Sequence, residues 1–61
     1  MSREREIAED YRVRAVEIRA IAEMDRHVET RVALEKVAAD YDVMADTMIR
    51  IAETNETMRR G

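Results

Sequence analysis

Cysteine and proline are both absent from this 61-residue chain, and its only glycine is the last residue, Gly61. Without cysteine there can be no disulfide and no thiolate metal site. Without proline or internal glycine, tight hairpin turns lack their usual residues. Tyr11 and Tyr41 are the only aromatics, too few for strands built on aromatic and β-branched runs. Long apolar runs are missing as well. Stretches such as Ala20-Ile21-Ala22 are far too short for a transmembrane span or a signal-peptide core, so a cytoplasmic protein is the expectation. A basic surplus is also lacking: the net charge is −3, which argues against a general nucleic-acid binder.

What remains is a chain 41 % charged and 46 % hydrophobic, dominated by the helix formers Ala, Glu, Arg and Met. Its length allows one small domain, and its composition makes that domain all-α.

The helical pattern is clearest from Leu34 to Ile51. Leu34, Val37, Tyr41, Met44, Met48 and Ile51 alternate three and four residues apart, as the core positions of a packed helix do. Beside them Ala38, Ala45 and Ala52 recur every seven residues, small enough to let a second helix backbone approach closely. The first half repeats the arrangement, with Ile7, Tyr11, Ile18 and Ile21 as the seam and Ala8, Ala15 and Ala22 along its flank. Arg14 interrupts that seam, and a packed stem with its head at the rim accommodates it; a buried anionic partner is the alternative. Shifted by 30 residues the halves match: Asp10-Tyr11-x-Val13-x-Ala15 with Asp40-Tyr41-x-Val43-x-Ala45, and Ile21-Ala22-Glu23 with Ile51-Ala52-Glu53.

Between the halves lies Met24-Asp25-Arg26-His27-Val28-Glu29, with no glycine or proline to force a turn, so one continuous helix is an alternative. The heptad phase opposes it. Core positions run 4, 11, 18, 25 in the first half and 27, 34, 41, 48, 55 in the second. That two-residue offset rotates the seam by about 200°, more than a coiled-coil stutter absorbs. The expectation is an antiparallel αα-hairpin: a first helix over about 3–24 capped by Ser2, and a turn over about 25–27. A second helix begins near Arg26 with Asp25 as its N-cap and runs to about residue 57, and a frayed tail covers 58–61.

The spacing Tyr11-x-x-Arg14-Ala15-x-x-x-Arg19-x-x-Ala22, a short polar break, then Arg31-x-x-Leu34-x-x-Val37-Ala38-x-x-Tyr41-x-x-Met44-Ala45 resembles a family of short helical-hairpin proteins of alphaproteobacteria. That family has no established activity, so the resemblance implies shape and origin and no chemistry. Its members often carry Asp-Pro at the break, where this chain has Asp25-Arg26.

Candidate chemistry is sparse. Glu23 and His27, the single histidine, are four residues apart, but two ligands do not make a metal site and a helix break falls between them. Glu35, Asp42, Asp46 and Glu53 share one arc of the second helix, where a solvated face offers no dry pocket for acid–base work. Arg5, Arg12, Arg19 and Arg26 recur every seven residues as a basic stripe. Under the 30-residue shift Arg5 aligns with Glu35 and Arg12 with Asp42, a pattern able to set helix register. A phosphate track is the sharper reading of that stripe, opposed by the interleaved acids Glu9, Glu17 and Glu23. Met1, Met24, Met44, Met48 and Met58 could furnish an adaptable groove, although core filling accounts for those in the seam. No nucleophile–base constellation, phosphate loop or cofactor fingerprint is present, so neither an enzyme nor a cofactor is expected.

A two-helix chain of this size cannot complete a core alone. The expectation is therefore an interaction or oligomerisation module that pairs into a homodimeric four-helix bundle. Tyr11, Ile18, Ile21, Leu34, Val37, Tyr41, Met44, Met48 and Ile51 would form the shared core, with Ala38, Ala45 and Ala52 making close helix contacts. A small regulator that binds a helix of a target protein is the second possibility. A nucleic-acid-binding regulator using the arginine stripe is the third.

Overall fold

The computed structural model describes residues 2–60 as two helices, α1 (Arg3–Met24) and α2 (Val28–Arg60), packed side by side as a hairpin. Ser2 caps α1: its Oγ accepts the Arg5 N–H at 3.2 Å, and Glu4 and Glu6 lie in the first turn, complementing the positive end of the helix dipole. At the other end the Asp25 N–H returns to the Ala22 carbonyl at 3.2 Å. Asp25 has an extended backbone there, and its carboxylate accepts the His27 N–H at 2.8 Å. One aspartate thus takes the place of the missing Gly or Pro, ending α1 and bending the chain toward α2.

The second helix departs from expectation at both ends. It starts at Val28 instead of near Arg26, because the Asp25 carboxylate closes its turn onto His27, and the first helical bond runs from the Arg31 N–H to the His27 carbonyl at 3.0 Å. Asp25 is therefore the C-cap of α1 and not the N-cap of α2. At the far end α2 continues through Met58 to Arg60, where a frayed tail was expected. Arg59 and Arg60 face the negative end of the dipole, and Glu56 is anchored to α1 by Arg5. Gly61 lies outside the described residues.

The hairpin contact is made of alanine. Ala8, Ala15, Ala38, Ala45 and Ala52 are completely shielded and Ala22 is 2 % exposed, while no larger side chain is buried among the described residues. A helix pair closes until its bulkiest interfacial groups meet, so a methyl at every seventh position brings the backbones together. Larger residues cannot share that line and are displaced sideways. Each residue advances about 100° around the helix. Positions three after or one before an alanine therefore fall on one side of the contact, and those four after fall on the other. The first set is apolar except for Arg14 and, at the ends, Asp25 and Asn55, and the second is mostly charged. One sequence period thus builds a ribbon with two unlike faces.

The ribbon is long and one helix layer thick. Its Cα extents are 52 × 16 × 9 Å and its radius of gyration is 14.8 Å, against about 10.5 Å for a compact domain of this length. Its accessible surface is 5116 Å², whereas a compact monomer of this mass presents about 4,100 Å².

Candidate interaction face

Beside the alanine line, α1 presents Ile7, Tyr11, Ile18 and Ile21, and α2 presents Leu34, Val37, Tyr41, Met44, Met48 and Ile51. The hairpin fold covers these residues only in part. Tyr11, Ile18, Leu34, Tyr41 and Met48 are half-buried. Ile21 is 57 % exposed, Val37 43 %, Met44 38 % and Ile51 42 %. The tyrosines bridge the helices, with ring centroids 5.8 Å apart and planes tilted by 40°, within the range for favourable aromatic pairs. Every residue expected in a shared core thus lies on one continuous face, and that face is open in the single chain.

The alanines behave differently. Ala38, Ala45 and Ala52, together with their counterparts on α1, are spent on the contact inside the hairpin. Two residues of the apolar side were not singled out as interface positions, Ile7 in the α1 seam and Met58 near the α2 end. Both are one position before an alanine or its heptad equivalent, and that spacing marks them.

The opposite face carries the ion pairs. Arg5 grips Glu56 with two bonds, Nε to Oε2 at 3.1 Å and Nη2 to Oε1 at 2.8 Å. Arg19 Nη2 donates to Asp42 at 2.6 Å, and Arg12 lies 3.9 Å from Asp46. The arginine stripe therefore meets acids of α2, but not those opposite it under the 30-residue shift. Arg5 pairs with Glu56 instead of Glu35, and Arg12 with Asp46 instead of Asp42. The reason is direction: the shift aligns the helices head to head, whereas the hairpin runs them antiparallel, reversing the order in which charges meet. Arg26, the fourth arginine, is exposed beside the turn.

The Arg5–Glu56 pair perturbs both partners. Hydrogen bonding to Glu56 and its charge raise the Arg5 pKa, and hydrogen bonding to Arg5 lowers that of Glu56 despite partial desolvation. A carboxylate whose pKa is depressed on folding adds stability above its unfolded pKa, near 4.3, and loses it as pH falls through the folded value. Arg5, shifted upward, stays charged across the working range. Acid titration of the wild type should therefore show a small loss of thermal stability below about pH 4.3 that Glu56→Gln lacks. A chain whose acid profile is unchanged by Glu56→Gln does not use the pair. The groups are solvent-screened, so 1 M salt should diminish the difference.

No family model, curated protein or solved structure matches this chain. What it does has to be argued from its own geometry.

That geometry assembles little chemistry. His27 Nδ1 is 3.3 Å from Asp25, and the end of α1 separates the histidine from Glu23. Among the described residues no three His, Cys, Asp or Glu side chains come together as a metal site, and no helix is long and apolar enough to cross a membrane. Beside the turn, Arg19, Ala22, Glu23, Arg31 and Glu35 line a surface depression where both charge signs mix. The continuous apolar face is the feature of largest extent.

Proposed function

We propose that the chain is a non-enzymatic association module whose apolar face is covered by a second copy of itself, giving a homodimeric four-helix bundle. One observation carries this: a fold whose buried side chains, among the described residues, are all alanines leaves Tyr11, Ile18, Leu34, Tyr41, Met48 and their neighbours in contact with water. Alanine burial removes little apolar area, and a methyl ladder alone does not offset the entropy of ordering two helices. Covering the face supplies the missing burial.

The area fits a second copy. The surface exceeds that of a compact monomer by about 1,000 Å² per chain. Two chains burying that excess against each other remove about 2,000 Å² in total, at the lower edge of obligate homodimer interfaces. A second hairpin also matches in shape, because a 9 Å ribbon laid face to face on its copy makes a two-layer bundle.

Two other classes of partner have less support. A target-protein helix would cover one groove of the same face and leave the rest exposed. A nucleic-acid track needs free cations, and Arg5, Arg12 and Arg19 are paired with Glu56, Asp46 and Asp42.

Sedimentation equilibrium of the purified chain at micromolar concentration, with circular dichroism on the same samples, tests the proposal. The expected result is a highly helical dimer whose helicity falls as it dissociates on dilution. A fully helical, stable monomer would refute it, and a weakly helical monomer that folds only with another protein would favour the regulator.

A further inference from the structure

The apolar face has an approximate two-fold axis of its own. The 30-residue repeat places Tyr11 and Tyr41, Ile18 and Met48, Ile21 and Ile51, and Ile7 and Val37 at equivalent positions on α1 and α2. The helices run antiparallel, so a half-turn about the normal to the face exchanges them. The Tyr11–Tyr41 pair, with centroids 5.8 Å apart, sits where that axis passes.

This near-symmetry creates an ambiguity for a second copy. It can dock with both turns at the same end of the bundle, α1 lying on the partner's α2. It can also dock with the turns at opposite ends, α1 lying on the partner's α1. The half-turn of one hairpin converts one arrangement into the other while apolar residues meet apolar residues in both. Hydrophobic contact, which has no direction, does not choose between them.

Two seam positions break the equivalence: Glu4, which aligns with Leu34 and accepts from Asn55 within the chain at 3.4 Å, and, nearer the axis, Arg14. Arg14 occupies the seam between Ile7 and Ile21, one residue before the buried Ala15, where α2 carries Met44, one residue before the buried Ala45. Arg14 is exposed, and among the described residues it takes part in no salt bridge. Nor do the carboxylates Asp10, Glu17 and Asp40, which stand at the rim of the same face, three or four residues from a seam position. The opposite face pairs Arg5, Arg12 and Arg19 within the chain, whereas Arg14 and the rim carboxylates of this face are in no ion pair among the described residues of the single hairpin.

We propose that Arg14 is the orientation-determining residue of the association: it admits the second copy only in the arrangement that lays α1 on the partner's α1 and brings Glu17 of that copy, a rim carboxylate with no acidic equivalent on α2, to its guanidinium. This rests on the homodimer reading above. Reversing one hairpin would put Thr47, the α2 equivalent of Glu17, in that place, whereas Asp10 and Asp40 are equivalent under the repeat and do not distinguish the arrangements; the covered charge would lose that carboxylate. A polar residue in an otherwise apolar seam is a known means of selecting register and topology at some cost in affinity.

The chain's lack of cysteine makes a direct test simple. A spin label on His27→Cys, in the exposed turn, reports whether two turns lie together or are separated by a distance approaching the 52 Å ribbon length. With Arg14 intact, one distance population is expected. Arg14→Met, which copies the α2 residue, should give two populations and tighten association by roughly tenfold, because a hydrophobic replacement of a buried ion pair is often stabilising. A single unchanged population in Arg14→Met would overturn the role, as would two populations with Arg14 present or weaker association of the variant. Sedimentation of the labelled parent separates the two claims: a helical monomer refutes the dimer and the role of Arg14 together, whereas an intact dimer with unaltered distances refutes only the latter.

Discussion

Ala45→Leu should lower the stability of the folded chain by about 1–3 kcal/mol, the usual range for overfilling a packed site. For a domain of this size that corresponds to a fall of roughly 4–20 °C in melting temperature. Ala45 is completely shielded, and its methyl points at the other helix, so the added isobutyl volume has to push α1 and α2 apart. Separation along that line also loosens the neighbouring methyl contacts. Ala39→Leu is the control. Ala39 is exposed on the same helix, and Leu and Ala have similar helix propensities, so the control should melt within a few degrees of the parent. Both are compared at one protein concentration, because association makes melting concentration-dependent. Equal melting of the two variants would remove the ladder as the basis of the hairpin.

The second large effect concerns the open face. Ile21→Glu should raise the dissociation constant of the proposed dimer by about 100-fold or more, since an uncompensated charge covered by protein costs roughly 3–5 kcal/mol. The comparison is Val16→Glu. Ile21 is 57 % exposed and Val16 66 %, so exposure in the single chain scarcely distinguishes them. Their directions do. Ile21 stands one residue before Ala22, on the apolar side, and Val16 one residue after Ala15, on the charged side. Sedimentation should therefore show dissociation for the first and an unaffected dimer for the second. If both variants or neither dissociate, the face is not where copies meet.

The contrast between those side chains also indicates how far the sequence could be read. Two helices, their antiparallel return and the Ser2 cap follow from the spacing of Ala8, Ala15 and Ala22, its repetition at Ala38, Ala45 and Ala52, and the phase offset near Asp25. The apolar face was visible as the seam from Leu34 to Ile51. Hidden was the division of labour between seam and ladder. Periodicity reports which residues share a side of a helix but not how deep each lies, and depth depends on how closely two backbones approach. The turn was blurred for a similar reason. Asp25 suits either helix end by type, and only the bond from its carboxylate to the His27 N–H fixes its place as a C-cap. Charge pairing across the hairpin needs the register, so Arg5 with Glu56, far apart in the chain, could not be found from a direct alignment of the halves.

The alanine ladder also sets which changes this gene can tolerate. At six sites the space available is one methyl, and the opposing surface is largely backbone, which no second substitution can shorten. Larger residues collide there, glycine sacrifices about 1 kcal/mol of helix propensity, and serine is the nearest fit in volume. On the open face Ile, Leu, Val and Met can exchange, because volume lost at one position can be recovered from a neighbour. Descendants of this chain should therefore keep a narrow invariant spine while the face beside it drifts, allowing new pairing preferences to arise without remaking the hairpin.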